Sequence, residues 1–329
     1  MVHPEQQQQH NAGPDPGHDL GLGIDAGGTQ TRWALAAAGG RIVAEGAVPG
    51  LSALQMGSSE GREVVQATFG AIARAVLAHG RPTRVRAGLT GFGGDGEQLQ
   101  RWLGELLGLA PGAVSFSSDI EIAYLASFAP GEGYLVYAGT GSIGAFIDAQ
   151  GGFHRAGGRG VVLDDGGGGF WIAREALRHI WRLEDERPGA WESSPMAHAV
   201  FQHVGGADWS FSRQFIYGRE RGEVGKLAIA VAATAERDPA AAAILREAGR
   251  ELARLAQALT SRFGPRPVAL AGRAAELHPA IVETMRAALP PGTTLSQTGM
   301  RAHYAAARLA ADPARLPHQD AARATHHTA

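Results

Sequence analysis

The stretch that decides the fold is GIDAGGTQT, residues 23–31, which joins two apolar runs near the start of the chain. Leu20 to Ile24 leads into it, and Trp33 to Ala38 follows it. A third apolar run, Ile42 to Val48, comes after the pair Gly39-Gly40. A glycine pair between two apolar runs is typical of a hairpin turn. The pattern therefore predicts three antiparallel strands at the start of the fold.

The glycines of this first turn favour an anion-binding role. Glycine lets backbone N–H groups approach an anion closely, and threonine adds hydroxyl donors. The turn joins two strands and no lysine follows its glycines, so it is neither a dinucleotide fingerprint nor a Walker A loop. The predicted phosphate ligands are Gly27, Gly28, Thr29 and Thr31. Asp25 is negative, as phosphate is, so its expected role is to hold a hydrated Mg²⁺. An ordinary tight hairpin is the alternative.

The same pattern appears a second time further along the chain. YAGTGSIG, residues 137–144, lies between the predicted strands Tyr134 to Ala138 and Ile143 to Ile147, and Gly151-Gly152 leads to a third strand. The predicted phosphate ligands of this second turn are Gly139, Thr140, Gly141 and Ser142. Two such hairpins, one in each half, can bind a polyphosphate from both sides, so the pair is stronger evidence than either turn alone.

Strands and helices alternate after each set of hairpin strands. In the first half, the spacing predicts a strand at Val85 to Leu89, a helix at Leu99 to Leu107 and a strand at Val114 to Ser117. In the second half, Asp238 before Pro239 predicts the start of a long helix, and Val268 to Ala271 predicts a strand. The expected fold class is α/β, with two similar halves.

Composition excludes several classes of function. The chain has 329 residues, 44% of them hydrophobic, and a net charge of -2 with no basic stripe, so we expect no nucleic-acid partner. It has no cysteine, which excludes a thiolate zinc site and an iron–sulfur cluster. No apolar run approaches the roughly 20 residues of a membrane span, and no signal-peptide pattern opens the chain. We therefore expect a cytoplasmic protein without a membrane partner.

The motifs together resemble a known superfamily. GIDAGGTQT and AGTGSIG resemble the two phosphate motifs of actin, hexokinase and sugar kinases, and VALAG, residues 268–272, resembles their adenosine motif. The ordered set is similar to the BadF/BadG/BcrA/BcrD ATPase family, in its N-acetylglucosamine and glucosamine kinase branch. Further matching segments are GLSAL at 50–54, GLTG at 88–91, SSD at 117–119 and the glycine-rich stretch at 157–175.

The resemblance implies two ribonuclease-H-like, or actin-like ATPase, domains. Each would be a mixed sheet that opens with an antiparallel hairpin and is flanked by helices. The expected N-terminal domain covers 19–129 and the C-terminal domain 130–300. A helix at 301–312 is expected to pack on the N-terminal domain. The polar segments 1–18 and 313–329 are predicted to be disordered tails, and their histidines are not expected to form a functional metal site.

The resemblance also implies roles for individual residues. Asp119 is implied to be the catalytic base, although an aspartate at this point is also an ordinary helix N-cap. The implied sugar ligands are Ser52, Thr90, Gly91, Asp119 and Asp165. Asp165 has a structural alternative as the cap of a glycine-rich helix entry. Gly272 and Arg273 are implied to contact the nucleotide.

The chain departs from the family pattern at several of these positions. Gly166 stands where relatives carry a glutamate, and Asp164 where they carry a glycine. Arg273 replaces a second glycine, where it would stack on adenine, pair with phosphate or obstruct the pocket. The segment Gly299 to Ala307 also lacks the usual pattern of the last helix.

The resulting hypothesis is an ATP- and Mg²⁺-dependent kinase that phosphorylates the 6-hydroxyl of a small amino sugar, glucosamine or N-acetylglucosamine. Adjacent Asp164 and Asp165 slightly favour the free, cationic amine. An activator ATPase of the same broad family would hold an iron–sulfur cluster through cysteines, and the absence of cysteine from this chain argues against that function. A non-catalytic nucleotide or sugar sensor remains the alternative, and a homodimer is expected only from the resemblance.

Overall fold

The computed structural model describes residues 19–28, 30–94, 96–110, 112–298 and 301–312. The predicted disordered tails and Thr29 lie outside these residues. The described chain forms two compact units, one of 19–119 with 303–312 and one of 120–302. The division thus falls at Asp119, whereas the sequence analysis placed it after residue 129. Within the described ranges, no helix is both long enough and apolar enough to cross a membrane.

The first unit is built on a five-stranded sheet in the order β3-β2-β1-β4-β5. β1, β2 and β3 are antiparallel, and β4 and β5 run parallel to β1. The strands are β1 (Gly21–Ala26), β2 (Gln30–Ala36), β3 (Ile42–Pro49), β4 (Arg84–Leu89) and β5 (Val114–Ser118). The accompanying helices are α1 (Ser59–Leu77), α2 (Glu97–Leu107) and a 3₁₀ helix at Ala53–Gly57. The opening three antiparallel strands are therefore as predicted.

Helix α1 covers one face of this sheet with apolar residues at helical spacing. Val65, Phe69, Ile72 and Val76 are all buried, and they join Leu22 and Ile24 of β1 in one cluster. The recurrence every three or four residues places them on a single stripe of the helix. Burial of such side chains contributes about 1.5 to 3 kcal/mol each to the free energy of unfolding.

A helix from late in the chain packs on the first strand. α11 (Ala302–Ala311) lies so close to β1 that a Cβ on Gly21 would stand 2.0 Å from Ala311 N, and one on Gly23 would stand 2.1 Å from His303 O. Both positions must be glycine for this packing. Two of the glycines around the first motif therefore serve helix packing.

The second unit repeats the topology of the first. Its strands are β6 (Tyr134–Ala138), β7 (Ser142–Ile147), β8 (Phe153–Gly157), β9 (Val268–Ala271) and β10 (Leu295–Gln297). They are ordered β10-β9-β6-β7-β8, with β6, β7 and β8 antiparallel and β9 and β10 parallel to β6. α3 (Asp119–Ser127) precedes β6. The predicted duplication is thus present strand for strand.

A helical layer accompanies the second sheet. Its members are α4 (Gly169–Glu186), a 3₁₀ helix (Ala190–Ser193), α5 (Pro195–Val204), α6 (Trp209–Gly218), α7 (Arg221–Gly225), α8 (Leu227–Ala232), α9 (Pro239–Phe263) and α10 (Pro279–Ala288). Of these helices, the long α9 begins at Pro239, directly after Asp238, as the sequence analysis predicts.

Asp238 holds the start of α9 as predicted and also ties it to α5. Its carboxylate accepts backbone N–H bonds from Ala240 at 2.9 Å and Ala241 at 3.3 Å. It also accepts the Ser194 hydroxyl at 2.7 Å and the Met196 N–H at 2.9 Å. Burial alone would raise the pKa of Asp238, but these hydrogen bonds outweigh it and lower the pKa.

We predict that Asp238→Ala lowers the free energy of unfolding by about 2 to 4 kcal/mol at pH 7, because it leaves buried N–H donors unpaired. The lowered pKa means that the wild type also loses this contribution as the pH falls below about 4. Urea unfolding at pH 7 and pH 3.5 measures both effects. Asp208→Ala is the matched control, since Asp208 begins α6 without a side-chain cap bond. Equal losses in the two variants would contradict the assignment.

Candidate active site

Three parallel strands of the first unit bring the candidate catalytic groups to one edge of the sheet. The register places Ala26 of β1 beside Leu89 of β4, and Leu89 beside Ser118 of β5. Asp25 lies one residue before the end of β1. Thr90 and Asp119 are the first residues after β4 and β5. The shared strand direction therefore brings together three side chains that are far apart in the sequence.

Asp25 is a carboxyl group in an unfavourable electrostatic environment. Burial raises its pKa from an ordinary 3.8 to about 6, the negative charge of Asp119 adds to the rise, and Arg32 opposes it. A carboxyl group with this pKa is partly protonated near pH 6, because burial and the neighbouring charge disfavour its ionised form. A cation bound beside Asp25 would stabilise that ionised form.

Thr90 contacts Asp119 directly. Its Oγ1 lies 2.7 Å from Asp119 Oδ2 and 3.0 Å from the carbonyl oxygen of Ala26. Its backbone N–H donates to Ala26 O at 3.0 Å, and its carbonyl accepts from Ala53 N at 2.9 Å. Thr90 is thus fixed on every side. Its predicted direct contact with a sugar has no support in these bonds.

Ser52 caps the 3₁₀ helix and is anchored to Thr90. Its hydroxyl donates to Thr90 O at 3.1 Å and accepts from Leu54 N at 3.3 Å, and Gln55 completes a capping box. Gly91 has φ +76°, and a Cβ there would stand 2.9 Å from Leu54 Cγ. Leu54 itself is 77% exposed beside these residues. The predicted sugar loops therefore do meet, and they present an exposed apolar side chain that the sequence analysis did not single out.

In the first glycine hairpin, Gly28 is exposed and Thr31 is buried. The Gly27 N–H donates to Gln30 O at 3.1 Å within the turn. Gly28 is exposed, and a Cβ there would meet no atom of the described residues within 4 Å. Thr31 has no exposed surface, and its hydroxyl finds no hydrogen-bond partner within the described part of the chain. Thr31 is therefore not presented to a ligand, whereas Gly28 is.

The second glycine hairpin is held against the start of α4. Gly139 O accepts the Gly169 N–H at 2.8 Å, and Thr140 O accepts the Phe170 N–H at 2.9 Å. The Ser142 hydroxyl donates to Gly166 O at 2.6 Å and is buried, so it braces the hairpin. Thr140 is exposed at the tip. Of the predicted phosphate ligands in this hairpin, Ser142 is therefore buried and Thr140 is exposed.

Asp165 lies behind this hairpin in a strained conformation. It has φ +56° and is the one non-glycine residue of the described ranges with positive φ. Its carboxylate accepts the Gly160 N–H at 3.1 Å and is so close to Gly141 that a Cβ there would stand 2.1 Å from Oδ2. Burial raises the pKa of Asp165, and the charge of Asp164 adds to the rise. A strained, buried carboxylate of this kind is a functional candidate.

Gly272 stands at the end of β9, next to the second hairpin. It has φ +98°, and a Cβ there would lie 2.4 Å from Ala138 O, so only glycine fits. The Ala274 N–H donates to the same oxygen at 2.9 Å. Arg273 is exposed. The second unit therefore groups Asp165 with the predicted nucleotide residues of the second hairpin and with Gly272 and Arg273. The first unit groups Asp25, Ser52, Thr90, Gly91 and Asp119.

A carboxylate from a distant helix occupies the space beside Gly166. A Cβ on Gly166 would stand 2.6 Å from Oε2 of Glu251, a residue of α9. Arg254 bonds Glu251 at 2.9 Å and both oxygens of Asp164 at 3.1 and 3.2 Å. The sequence analysis missed this cluster, because Glu251 is one of several charged residues on an amphipathic helix and only the fold brings it to position 166.

The fold and these sites define the class of protein. Each unit has an antiparallel three-stranded opening and two further parallel strands, which is the predicted ribonuclease-H-like unit of actin-like ATPases. A sequence model described as the BadF/BadG/BcrA/BcrD ATPase family matches residues 22–291. The chain belongs to this family, as predicted.

Three relatives bear names that state sugar-kinase activity. An N-acetyl-D-glucosamine kinase of Dictyostelium discoideum is 26% identical over 180 residues, which are 51% of this chain and 56% of that protein's length. A crystal structure from Chromobacterium violaceum, provisionally named an N-acetylglucosamine kinase, is 29% identical with a TM-score of 0.66, and the match covers 89% of this chain and 99% of the other. One from Porphyromonas gingivalis, also provisionally named, is 18% identical with a TM-score of 0.68 and the same coverage, and it supports the fold alone.

We predict that Asp25→Asn stabilises the folded protein above pH 6 while abolishing any role of this carboxylate. The folded pKa of about 6 exceeds the unfolded value of 3.8, so the wild type binds more protons when folded and loses stability as the pH rises between these values. The advantage of the variant should grow over that window to roughly 1 to 3 kcal/mol. Urea unfolding from pH 4 to pH 7.5 measures it. Exposed Asp185 gives the control Asp185→Asn; a gap that shrinks as the pH rises would refute the assignment.

Proposed function

We propose that the protein is an ATP-dependent kinase that transfers phosphate to the 6-hydroxyl of N-acetylglucosamine or a close relative, with Asp119 as general base. The observation that carries the proposal is the meeting of Asp25, Thr90 and Asp119 at the carboxyl edge of the first sheet. Membership of an ATPase family and the names of the sugar-kinase relatives support the reaction class.

The proposed chemistry uses Asp119 to orient the sugar and take its proton. A hydroxyl that attacks the γ-phosphorus must lose a proton, and a carboxylate within hydrogen-bond reach can accept it as the new P–O bond forms. A carboxylate has about four acceptor positions, so Asp119 can accept the Thr90 hydroxyl and a sugar hydroxyl together. Most of the catalytic effect in such reactions comes from positioning and charge stabilisation.

The nucleotide is assigned to the glycine turns. The exposed tip at Thr140, the adjoining Gly139 and Gly141 and the neighbouring Gly272 are suited to the phosphates and adenosine, and Gly28 offers an open backbone in the first unit. Ser142 and Thr31 are buried, so we give them structural roles. Arg273 is exposed beside Gly272 and we assign it to the nucleotide.

The residues present also fit Mg²⁺ bound with ATP. Asp25 supplies the oxygen donor that Mg²⁺ prefers. Burial and, after it, the Asp119 charge raise the pKa of Asp25, and a bound cation would oppose both effects. Within the described ranges, no group of three or more His, Asp or Glu side chains could hold a metal by itself. This fits a cation held mainly by ATP phosphates and water, with Asp25 as its contact in the protein. When bound, Mg²⁺ neutralises charge on the phosphates.

Two features favour the acetylated sugar over the free amine. The adjacent pair Asp164 and Asp165 was the reason to favour a cationic amine, but the Asp164 carboxylate is paired with Arg254, which also binds Glu251. The positive charge of Arg254 therefore offsets part of the negative charge on which that preference depends. Leu54, exposed beside Ser52 and Gly91, offers an apolar surface suited to an acetyl methyl group. An ammonium group would gain nothing from this contact.

The first experiment measures ADP release with Mg·ATP and a panel of sugars, with the phosphosugar identified by mass. We expect N-acetylglucosamine to stimulate release most. Asp119→Asn should lower kcat by about 10² to 10⁴-fold with ATP binding retained, because the proton acceptor is lost. Glu105→Gln, at an exposed position of α2, is the control and should keep full activity. Folded wild-type protein that no sugar stimulates would refute the kinase and favour the sensor.

A second experiment tests the acetyl contact. Leu54→Ala should raise KM for N-acetylglucosamine by roughly 3- to 10-fold and leave KM for glucose unchanged, because a small apolar contact discriminates by about 1 kcal/mol. Leu106→Ala, at another exposed leucine of the same unit, should change neither value. An equal rise for both sugars would show that Leu54 shapes the loop instead of recognising the acetyl group.

A further inference from the structure

Thr90 stands between the two carboxylates of the first unit because of the strand order. β4 lies between β1 and β5 in the sheet, so the residue that follows β4 is flanked by the ends of both neighbours. Its hydroxyl bridges the Ala26 carbonyl at 3.0 Å, next to Asp25, and the Asp119 carboxylate at 2.7 Å. No other position of this sheet has a neighbour on each side with a candidate catalytic carboxylate.

The single proton of the Thr90 hydroxyl can serve one of these acceptors at a time. Ala26 O already accepts the Thr90 backbone N–H at 3.0 Å, whereas the carboxylate is the shorter and charged acceptor. Hydrogen bonds to an ionised acceptor are roughly twice as strong as neutral ones. The hydroxyl therefore donates to Asp119 while that side chain is ionised.

We propose that Thr90 is a positioning residue that aims the Asp119 carboxylate, and that it does not bind the sugar itself. The inference rests on the proposed function, in which Asp119 is the base. Two backbone bonds hold the threonine: its N–H on Ala26 O, and its carbonyl on Ala53 N. The Ser52 hydroxyl, 3.1 Å from the same carbonyl, adds a third contact. The sugar-loop serine thus acts on the base through Thr90.

The arrangement also accommodates the proton that Asp119 receives. When the carboxylate takes the proton of the sugar hydroxyl, it becomes a weaker acceptor. The Thr90 O–H can then rotate to Ala26 O, which lies within 3.0 Å, without any heavy-atom movement. Asp25 is near enough for the Asp119 charge to raise its pKa, after the larger effect of burial, and Arg32 opposes the rise.

The test compares Thr90→Val, which keeps the shape but loses the hydroxyl, with Thr90→Ser, which keeps the hydroxyl. We expect Thr90→Val to lower kcat by roughly 10- to 100-fold with KM for the sugar changed by less than about 3-fold, because a misaimed group costs rate more than binding. The kcat of Thr90→Ser should lie within about 3-fold of the wild-type value, because the hydroxyl group is kept. Thr83→Val, just before the same strand, is the control, since the hydroxyl of Thr83 donates to Leu20 O at 3.3 Å, away from the candidate catalytic residues.

Repeating Thr90→Val in the Asp119→Asn background separates positioning from binding. A residue that acts through Asp119 should have little further effect there, less than about 2-fold, because the two changes are coupled. A rise in KM with kcat unchanged, or an undiminished effect in the Asp119→Asn background, would show that Thr90 contacts the sugar and would overturn the proposal. Wild-type protein without sugar-dependent turnover would instead refute the proposed function itself, and the positioning role with it.

Discussion

The parallel register of β1, β4 and β5 is the constraint on which the first unit's chemistry depends. Parallel strands end at the same edge, and ligands of open α/β sheets bind at the carboxyl ends of their strands. Here that edge holds Asp25, Thr90 and Asp119, from three separate segments of the chain. A one-residue slip of any strand would turn its side chains to the other face and separate the group. The strand register therefore positions all three side chains, which no single contact between them does.

In the second unit, glycines bring three segments of the backbone close together. Its hairpin is bonded to the start of α4 through Gly169 and Phe170, and the glycines at 141, 168 and 272 leave no room for a side chain. Asp165, which has a positive φ, packs its carboxylate against Gly141. Glycine thus serves here for the close packing of three segments.

The sequence predicted the architecture well because hairpin glycines and apolar periodicity are local signals. The duplicated strand order and α9 with its Asp238 cap follow from such signals, and the family was predicted from the resemblance of the ordered motifs. The site was predicted less well. Motif resemblance placed Thr90 near the sugar, but only the strand order shows that its hydroxyl bonds Asp119. Burial of Thr31 and the Glu251–Arg254–Asp164 cluster depend on tertiary packing, which leaves no periodic trace in the sequence.

The packing of α11 on β1 makes the first unit discontinuous in the chain. Gly21 and Gly23 meet a helix that is synthesised only after all of the second unit has been made. Domains generally fold in order as they leave the ribosome, but this sheet keeps one bare face until α11 arrives. The second unit can complete its core first, although it comes later in the sequence. Packing of the first sheet is therefore completed only when the last described helix has been synthesised.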